Sequence, residues 1–196
     1  MKCIVNITKE VNKVKLIVGL GNKGNEYNNT RHNVGFMVID EYLKKHNLEL
    51  NKNKFDGLYG ETNINGEKVM FLKPQKYMNL SGDVIIKYIN YFKIDINDIL
   101  IIHDDMSLEI GTFKIRYKGG SGGHNGLKNI ENNLKTNEYK RIKIGISKNN
   151  IDMIDYVLGK FSDEELAKLN NVIKIMPDII DDFVSLSFEN LMNKYN

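Results

Sequence analysis

The stretch Lys15-Leu16-Ile17-Val18-Gly19-Leu20-Gly21-Asn22-Lys23-Gly24 decides the fold, because it joins a short apolar run to a glycine-rich loop. A β-branched run of this length that ends in glycine predicts a buried strand. Along the rest of the chain, apolar runs alternate with helical patterns almost to the end. This alternation predicts an α/β fold.

The remaining elements follow from apolar periodicity and from turn and capping residues. Asn65-Gly66 predicts the turn of a hairpin, Ser162 with Glu165 predicts a capping box, and Pro177 predicts the start of a new helix. The predicted helices are 34–46, 81–92, a helix from about 127, 162–175 and one from 177 toward 194, and the predicted strands are 58–64, 68–73, 99–103 and 141–147.

Length, charge and cysteine content exclude several classes of protein. The 196 residues fit one domain, and 41% hydrophobic and 27% charged residues are ordinary for a globular protein. The net charge of +3 permits a nucleic-acid partner without requiring one. A single cysteine, Cys3, allows no internal disulfide and favours a reducing compartment.

Neither the interior nor the N-terminus of the chain resembles a membrane or export signal. No apolar run has the length of a membrane span. Charged residues at positions 9, 10 and 13 interrupt the first fourteen residues, so these do not form a signal peptide. We therefore expect a cytoplasmic protein without a membrane partner, with residues 1–14 as an extension of unknown role and 15–196 as the domain.

His32 is the most informative single residue of the chain. His103-Asp104-Asp105 closes a predicted core strand, so a carboxylate is held at the sheet edge. A histidine oriented by a carboxylate forms a general base. No ligand pair has the spacing of a known metal motif, so we predict neither a metal nor another cofactor.

Amide side chains and a glycine run accompany this pair. Asn22, Asn79 and Asn125 occupy loop positions near the predicted elements, and their amides can orient an ester or hold an oxyanion. The run 119–126 opens the helix near 127, where free backbone N–H groups can form an anion site. Basic residues and a tyrosine at 116–118 directly precede that run and suit single-stranded nucleic acid.

A competing interpretation comes from Gly19, Gly21 and Gly24, which match the dinucleotide-binding pattern G-x-G-x-x-G. That pattern requires a helix to begin within it. Here the helical pattern begins only near Val34, and the acids at the expected distance, Asp40 and Glu41, fall within the predicted helix. A nucleotide-dependent oxidoreductase is therefore the weaker alternative.

Taken together, these segments resemble the bacterial-type peptidyl-tRNA hydrolase family. The resemblance runs in order from about Lys15 to the C-terminus. It is carried by residues 15–22, Glu26-Tyr27, residues 30–36, Lys73-Pro74, residues 77–82, His103-Asp104-Asp105, residues 119–127 and residues 157–161.

The resemblance implies a compact monomer with a mixed sheet flanked by helices on both faces, acting on peptidyl-tRNA. His32 is implied as the base that activates water, Asp104 as the group that orients it, and Asn22 as the sensor of an acylated amino group. The implied substrate contacts are Tyr27, Tyr77, Asn79 and Asn125, and the implied tRNA-backbone contacts are Arg116, Lys118, Arg141 and Lys143.

Three features depart from the family pattern. Lys23 stands where relatives usually have proline, residues 147–155 lack the usual proline-bearing pattern, and residues 1–14 have no counterpart. None of these changes removes a proposed catalytic group. Relatives have also been recruited as RNA-splicing factors, so an RNA-binding module without hydrolytic activity remains the main alternative.

Overall fold

Seven strands form one mixed sheet in the computed structural model, which describes residues 13–148 and 152–196. The strands are β1 (Val14–Gly19), β2 (Lys52–Lys54), β3 (Gly57–Ile64), β4 (Glu67–Pro74), β5 (Ile99–Asp105), β6 (Phe113–Lys118) and β7 (Glu138–Gly145). Their order in the sheet is β2-β3-β4-β1-β5-β7-β6. The four central strands β4, β1, β5 and β7 are parallel, whereas β2, β3 and β6 pair antiparallel.

Helices cover both faces of this sheet. They are α1 (Val34–His46), α2 (Ser81–Phe92), α3 (Asn125–Leu134), α4 (Met153–Leu158), α5 (Asp163–Ile173), α6 (Met176–Ser185) and α7 (Phe188–Tyr195). On one face Ile17 belongs to a core shared with α1, α5 and α6. On the other face Leu16 and Val18 belong to a core shared with α2 and α3. The α/β fold with helices on both faces is confirmed.

Two glycines bring α1 close to the carboxyl ends of the central strands. A Cβ atom on Gly35 would lie 2.4 Å from the carbonyl oxygen of Ile102, and one on Gly19 would lie 2.3 Å from that of Gly35. Only glycine permits this approach of backbone to backbone. As a result, the residues just before α1 lie over the ends of β1 and β5.

Several predicted elements are confirmed. The helices α1 and α2 have the predicted bounds, and β3 and β4 form the predicted hairpin. Its turn residues Asn65 and Gly66 have φ angles of 51° and 87°. Both angles lie in the left-handed region that an Asn-Gly turn favours. The capping box of Ser162 and Glu165 is also present.

Other parts of the fold differ from the prediction. The single helix predicted from Pro177 toward Lys194 is wrong, because α6 ends at Ser185 and the Ser187 hydroxyl caps α7 by accepting from the backbone of Asn190. The short edge strands β2 and β6 were not predicted. The first strand begins at Val14, one residue before the predicted domain boundary. Residues 1–12 of the predicted extension lie outside the described residues. No helix in the described ranges is long and apolar enough to cross a membrane.

Candidate active site

The candidate active site lies where the parallel strands β1 and β5 end. Loops at the carboxyl ends of such strands are the usual position of α/β sites. The loop after β1 contains two 3₁₀ turns, and the second of them, Arg31–Asn33, carries His32. Asp104 is the penultimate residue of β5. The fold thus brings together two residues 72 positions apart.

His32 and Asp104 form a buried pair. The Nδ1 atom of His32 lies 3.0 Å from both carboxylate oxygens of Asp104. The two residues are 8% and 3% exposed. The Nε2 atom of His32 has no hydrogen-bond partner among the described residues. With Nδ1–H donating to the carboxylate, Nε2 keeps a lone pair that can accept a proton.

A second histidine, His124, contacts the same carboxylate. Its Nε2 atom lies 3.1 Å from Oδ1 of Asp104. The rings of His124 and His32 are 4.7 Å apart, centroid to centroid. Asp104 is therefore held from two sides by imidazole groups.

The tautomer of His124 follows from the partners of its other nitrogen. His124 is the N-cap of α3, and its Nδ1 accepts from the backbone N–H groups of Gly126 and Leu127 at 3.1 and 3.3 Å. A nitrogen that accepts carries no proton, so the proton of the neutral ring lies on Nε2 and is donated to Asp104.

This tautomer also bears on metal binding. His32, Asp104 and His124 offer three possible ligand atoms within 4.8 Å of one another. A histidine binds a metal through an unprotonated nitrogen. Since the unprotonated nitrogen of His124 faces the helix backbone, the described hydrogen bonds favour a carboxylate with two N–H donors over a metal centre.

The surroundings of Asp104 keep it ionised. Burial alone raises the pKa of this carboxyl, but the electrostatic attraction and the hydrogen bonds of the His32 and His124 rings outweigh burial and hold the pKa well below its usual range. A permanently charged Asp104 can stabilise the imidazolium that forms when His32 accepts a proton.

His103, next in the chain, is a buried neutral imidazole. Its Nδ1 donates to the carbonyl oxygen of Asp104 at 2.7 Å, and its Nε2 is buried without a partner among the described residues. Burial, and then the neighbouring His124, lower the pKa of His103 to about 3. His103 therefore cannot act as a proton acceptor near neutral pH.

Asn22 is fixed in one orientation by three hydrogen bonds. Its Oδ1 accepts from the backbone N–H of Met78 at 2.7 Å. Its backbone N–H donates to Oδ1 of Asn33 at 2.8 Å, and its carbonyl accepts from Nδ2 of Asn33 at 3.0 Å. Because Oδ1 is engaged, the amide group of Asn22 presents Nδ2, a donor, to any ligand.

The predicted site residues do not all line one cavity. A cavity of about 80 Å³, here called the His32 cavity, is lined by His32, Asp104, Asn125 and Lys143, together with the glycine run. Asn22 instead lines a separate groove. Asn79 is exposed in the 3₁₀ turn Met78–Leu80, beside the residue that holds Asn22. Of the three amides considered in the sequence, Asn125 therefore lines the His32 cavity and Asn22 does not.

The aromatic and basic positions differ widely in exposure. Tyr77 is 66% exposed and Tyr27 is half-buried. Lys143 pairs with Asp105 at the His32 cavity. Arg116 and Lys118 lie on the edge strand β6, where Lys118 is opposite Glu138 at the amino end of β7, the end away from the cavity.

The prediction that Arg141 contacts tRNA is wrong. Its side chain is 1% exposed, stacks at 4.1 Å on the ring of Tyr139 and donates to the carbonyl oxygen of Asn137 at 2.9 Å. A buried guanidinium cannot reach a phosphate without unfolding its surroundings. Its position on the central strand β7, covered by α3, explains the burial.

The glycine run also differs from the expected anion site. Gly122 and Gly123 have φ angles of 58° and 85°, and the run lines the His32 cavity. However, the N–H groups of Gly126 and Leu127 at the start of α3 already donate to His124. These two groups are therefore not free to bind a phosphate.

Fold and site together define a class of protein: an α/β enzyme with a histidine–carboxylate pair over the ends of a parallel sheet. Comparison with known proteins then gives the family. Residues 16–196 match the family model described as Peptidyl-tRNA hydrolase, and the chain belongs to this family of hydrolases.

Similar proteins cover nearly the whole chain. A peptidyl-tRNA hydrolase from Clostridium botulinum is 48% identical over 92% of this chain and 95% of its own length. One from Bacillus anthracis is 46% identical over 93% of this chain and all of its own length. The crystal structure of peptidyl-tRNA hydrolase from Acinetobacter baumannii has a TM-score of 0.88 and 34% identity, and covers 94% of this chain and 95% of that one.

Sequence reasoning gave no role to three residues that support the site. Arg31, Asn33 and His124 all lie inside the motifs that carry the resemblance. Their contacts reach residues distant in the chain, for example from Arg31 to Glu165, 134 positions away. The capping role of His124 also had no signal in the sequence, because the helix was predicted to begin near residue 127 and histidine is not a usual N-cap residue.

Proposed function

We propose that this protein hydrolyses the ester bond between tRNA and a peptide or N-blocked aminoacyl group, and so releases tRNA for reuse in translation. The observation that carries the proposal is the buried His32–Asp104 pair, with Nε2 of His32 unpartnered among the described residues at a cavity. Membership of the peptidyl-tRNA hydrolase family supports the same reaction.

In the proposed mechanism water is the nucleophile. The water oxygen attacks the ester carbonyl while Nε2 of His32 takes a proton from the water. Asp104 stabilises the resulting imidazolium. Amide donors such as those of Asn79 and Asn125 stabilise the oxyanion. The tetrahedral intermediate expels the ribose oxygen of the terminal nucleotide, which receives the proton from His32. The products are a peptide acid and free tRNA.

Asn22 supplies the proposed discrimination between peptidyl-tRNA and aminoacyl-tRNA. An acylated amino group brings a carbonyl oxygen, which can accept from Nδ2 of Asn22. A free aminoacyl group brings an ammonium, which has only donors. Because Oδ1 of Asn22 is held by Met78, the side chain cannot turn to accept from that ammonium without losing a buried hydrogen bond.

We also propose that the protein is a monomer and that it acts in the cytoplasm.

Single-turnover hydrolysis tests the proposal with N-acetylaminoacyl-tRNA and the same tRNA bearing a free aminoacyl group. We expect cleavage of the first substrate only. His32→Ala is expected to abolish cleavage and leave tRNA affinity nearly unchanged. RNA binding by the wild-type protein without cleavage would instead support the RNA-binding module.

A further inference from the structure

The start of helix α3 carries two groups of the candidate active site. His124, its N-cap, donates to Asp104, and Asn125, its first residue, lines the His32 cavity. Apolar residues on the inner side of α3 are buried in the core that it shares with α2. Because apolar packing has no preferred direction, directed contacts are needed to fix the register of α3 along α2.

Two glycines let α3 lie close to the segment that carries Met78 and Asn79. A Cβ atom on Gly82, the second residue of α2, would lie 2.5 Å from the carbonyl oxygen of Asn129. One on Gly126 would lie 2.6 Å from Sδ of Met78. At this separation a polar side chain of one helix can reach the backbone of the other.

Asp83, the third residue of α2, forms a reciprocal pair with Asn129 on α3. Its backbone N–H donates to Oδ1 of Asn129 at 3.0 Å, and its Oδ1 accepts from Nδ2 of Asn129 at 3.2 Å. The same Oδ1 accepts from Nδ2 of Asn133 at 2.8 Å. Three directed hydrogen bonds thus hold successive turns of α3 against the first turn of α2.

The spacing of the asparagines connects this contact with the site. Asn125, Asn129 and Asn133 are four residues apart, so they lie on one face of α3 in successive turns. A helix rises about 1.5 Å per residue, so Asn129 lies only about 6 Å along the axis from Asn125. On the other side, Asn79 precedes Asp83 by four residues, in the 3₁₀ turn that leads into α2. The pair of Asp83 and Asn129 therefore fixes the position of Asn125 relative to Asn79.

We propose that Asp83 is a positioning residue for the proposed hydrolysis, because its hydrogen bonds to α3 set the separation of Asn79 and Asn125. The inference rests on the proposed function, in which both amides stabilise the oxyanion. Displacement of a positioned group by about 1 Å can lower a rate by on the order of 10²-fold. Since an oxyanion forms only during the reaction, loss of Asp83 should lower kcat and leave KM nearly unchanged.

Steady-state cleavage of N-acetylaminoacyl-tRNA is the first test. We expect Asp83→Ala to lower kcat by about 10- to 100-fold. Asp83→Asn keeps an Oδ1 that can accept from both asparagine amides of α3, so it should restore most of the lost kcat. If Asp83→Ala does not fold, Asn129→Ala removes the same pair from the side of α3 and should lower kcat in the same way.

Asn132→Ala is the matched control, since Asn132 is an exposed asparagine on the same helix. It should cleave like the wild type. A wild-type kcat in folded Asp83→Ala or Asn129→Ala, or a rise in KM alone, would overturn the inference and leave the proposed function standing. Failure of the wild-type protein to cleave the substrate would overturn the proposed function instead.

The histidine rings report on the contact between α2 and α3 without any measurement of activity. Long-range ¹H–¹⁵N NMR spectra show which ring nitrogen carries the proton and whether it is hydrogen-bonded. In Asp83→Ala the signals of His124 are expected to shift, because its position relative to Asp104 changes with α3, whereas those of His46, on α1, stay in place. Asp83→Asn should return the His124 signals to their wild-type positions. Unchanged His124 signals in Asp83→Ala would mean that Asp83 does not set the position of α3, and would refute the inference.

Discussion

His103 shows how one buried residue links the site to the stability of the fold. The ring stays neutral in the folded protein because its pKa is lowered to about 3, chiefly by burial. In the unfolded chain a histidine has a pKa near ~6.5. Below that value the unfolded state binds one proton more than the folded state, so the free energy of unfolding falls as the pH decreases.

We therefore expect His103→Asn to flatten the pH dependence of stability. The asparagine amide can replace Nδ1 as donor to the carbonyl of Asp104, but it does not titrate. Between pH 7.5 and 5.0 the wild type should lose about 2 kcal/mol more of its unfolding free energy than the variant. Urea unfolding at the two pH values measures the difference. An equal loss in both proteins would mean that His103 is protonated in the fold.

At the residue scale the sequence is a good guide to chemistry and a poor one to burial. His32 and Asp104 could be predicted because one follows β1 and the other closes β5, and neighbouring parallel strands end together. The burial of Arg141 could not be predicted, because it depends on α3 covering that part of β7. The orientation of Asn22 likewise depends on Met78, 56 positions away.

At the scale of elements, Arg31 joins the turn that carries His32 to the C-terminal helices. Its guanidinium donates to both carboxylate oxygens of Glu165 at 2.9 and 2.7 Å, and to the carbonyl oxygen of Lys160 at 3.1 Å. It also stacks 4.3 Å from the ring centre of Tyr156. The α4 and α5 segments are thereby fastened to the residue next to the proposed base.

Arg31→Ala is expected to lower the unfolding free energy by about 2–3 kcal/mol, somewhat less than for a fully buried pair because Glu165 is partly exposed. Denaturant unfolding measures this change, and kcat should fall with it as His32 loses its support. Arg31→Lys should restore only part of the loss, because Nη2 of Arg31 donates to Glu165 while Nη1 donates to the carbonyl oxygen of Lys160, and a lysine has only one nitrogen.

Lys168→Ala is the control for this effect. Lys168 pairs with Glu164 on the same helix α5, but both side chains are exposed. Such pairs contribute little to stability, so this variant should unfold like the wild type. If Arg31→Ala also unfolded like the wild type, the contacts of Arg31 with the C-terminal helices would not contribute to the stability of the fold.

Periodicity explains which elements could be predicted. The helices α1 and α2 have one apolar face and one polar face, so their bounds follow from the sequence alone. The edge strand β6 alternates Phe113, Ile115 and Tyr117 with charged residues, so its period of two was a strand signal that the prediction overlooked. The division between α6 and α7 depends on a single capping serine inside a continuous helical pattern.

For the whole molecule, the distribution of charge matters more than the net value of +3. Lys143 lies at the His32 cavity, and its neighbour across the strands is Lys114 on β6. Arg116 and Lys118 continue along β6 away from the cavity. Because both residues sit on an edge strand, a bound tRNA backbone could follow the cations from the cavity along this side of the sheet.

Salt dependence of tRNA affinity tests this path. Each phosphate contact that is lost should reduce the slope of log Kd against log salt by about 0.7–0.9, because fewer counterions are released on binding. We expect Arg116→Ala and Lys118→Ala each to reduce the slope by that amount. Lys174→Ala, which removes an exposed charge from the end of α5, should leave it unchanged. A wild-type slope in all three variants would remove β6 from the tRNA interface, while an equal reduction in all three would indicate a general effect of net charge.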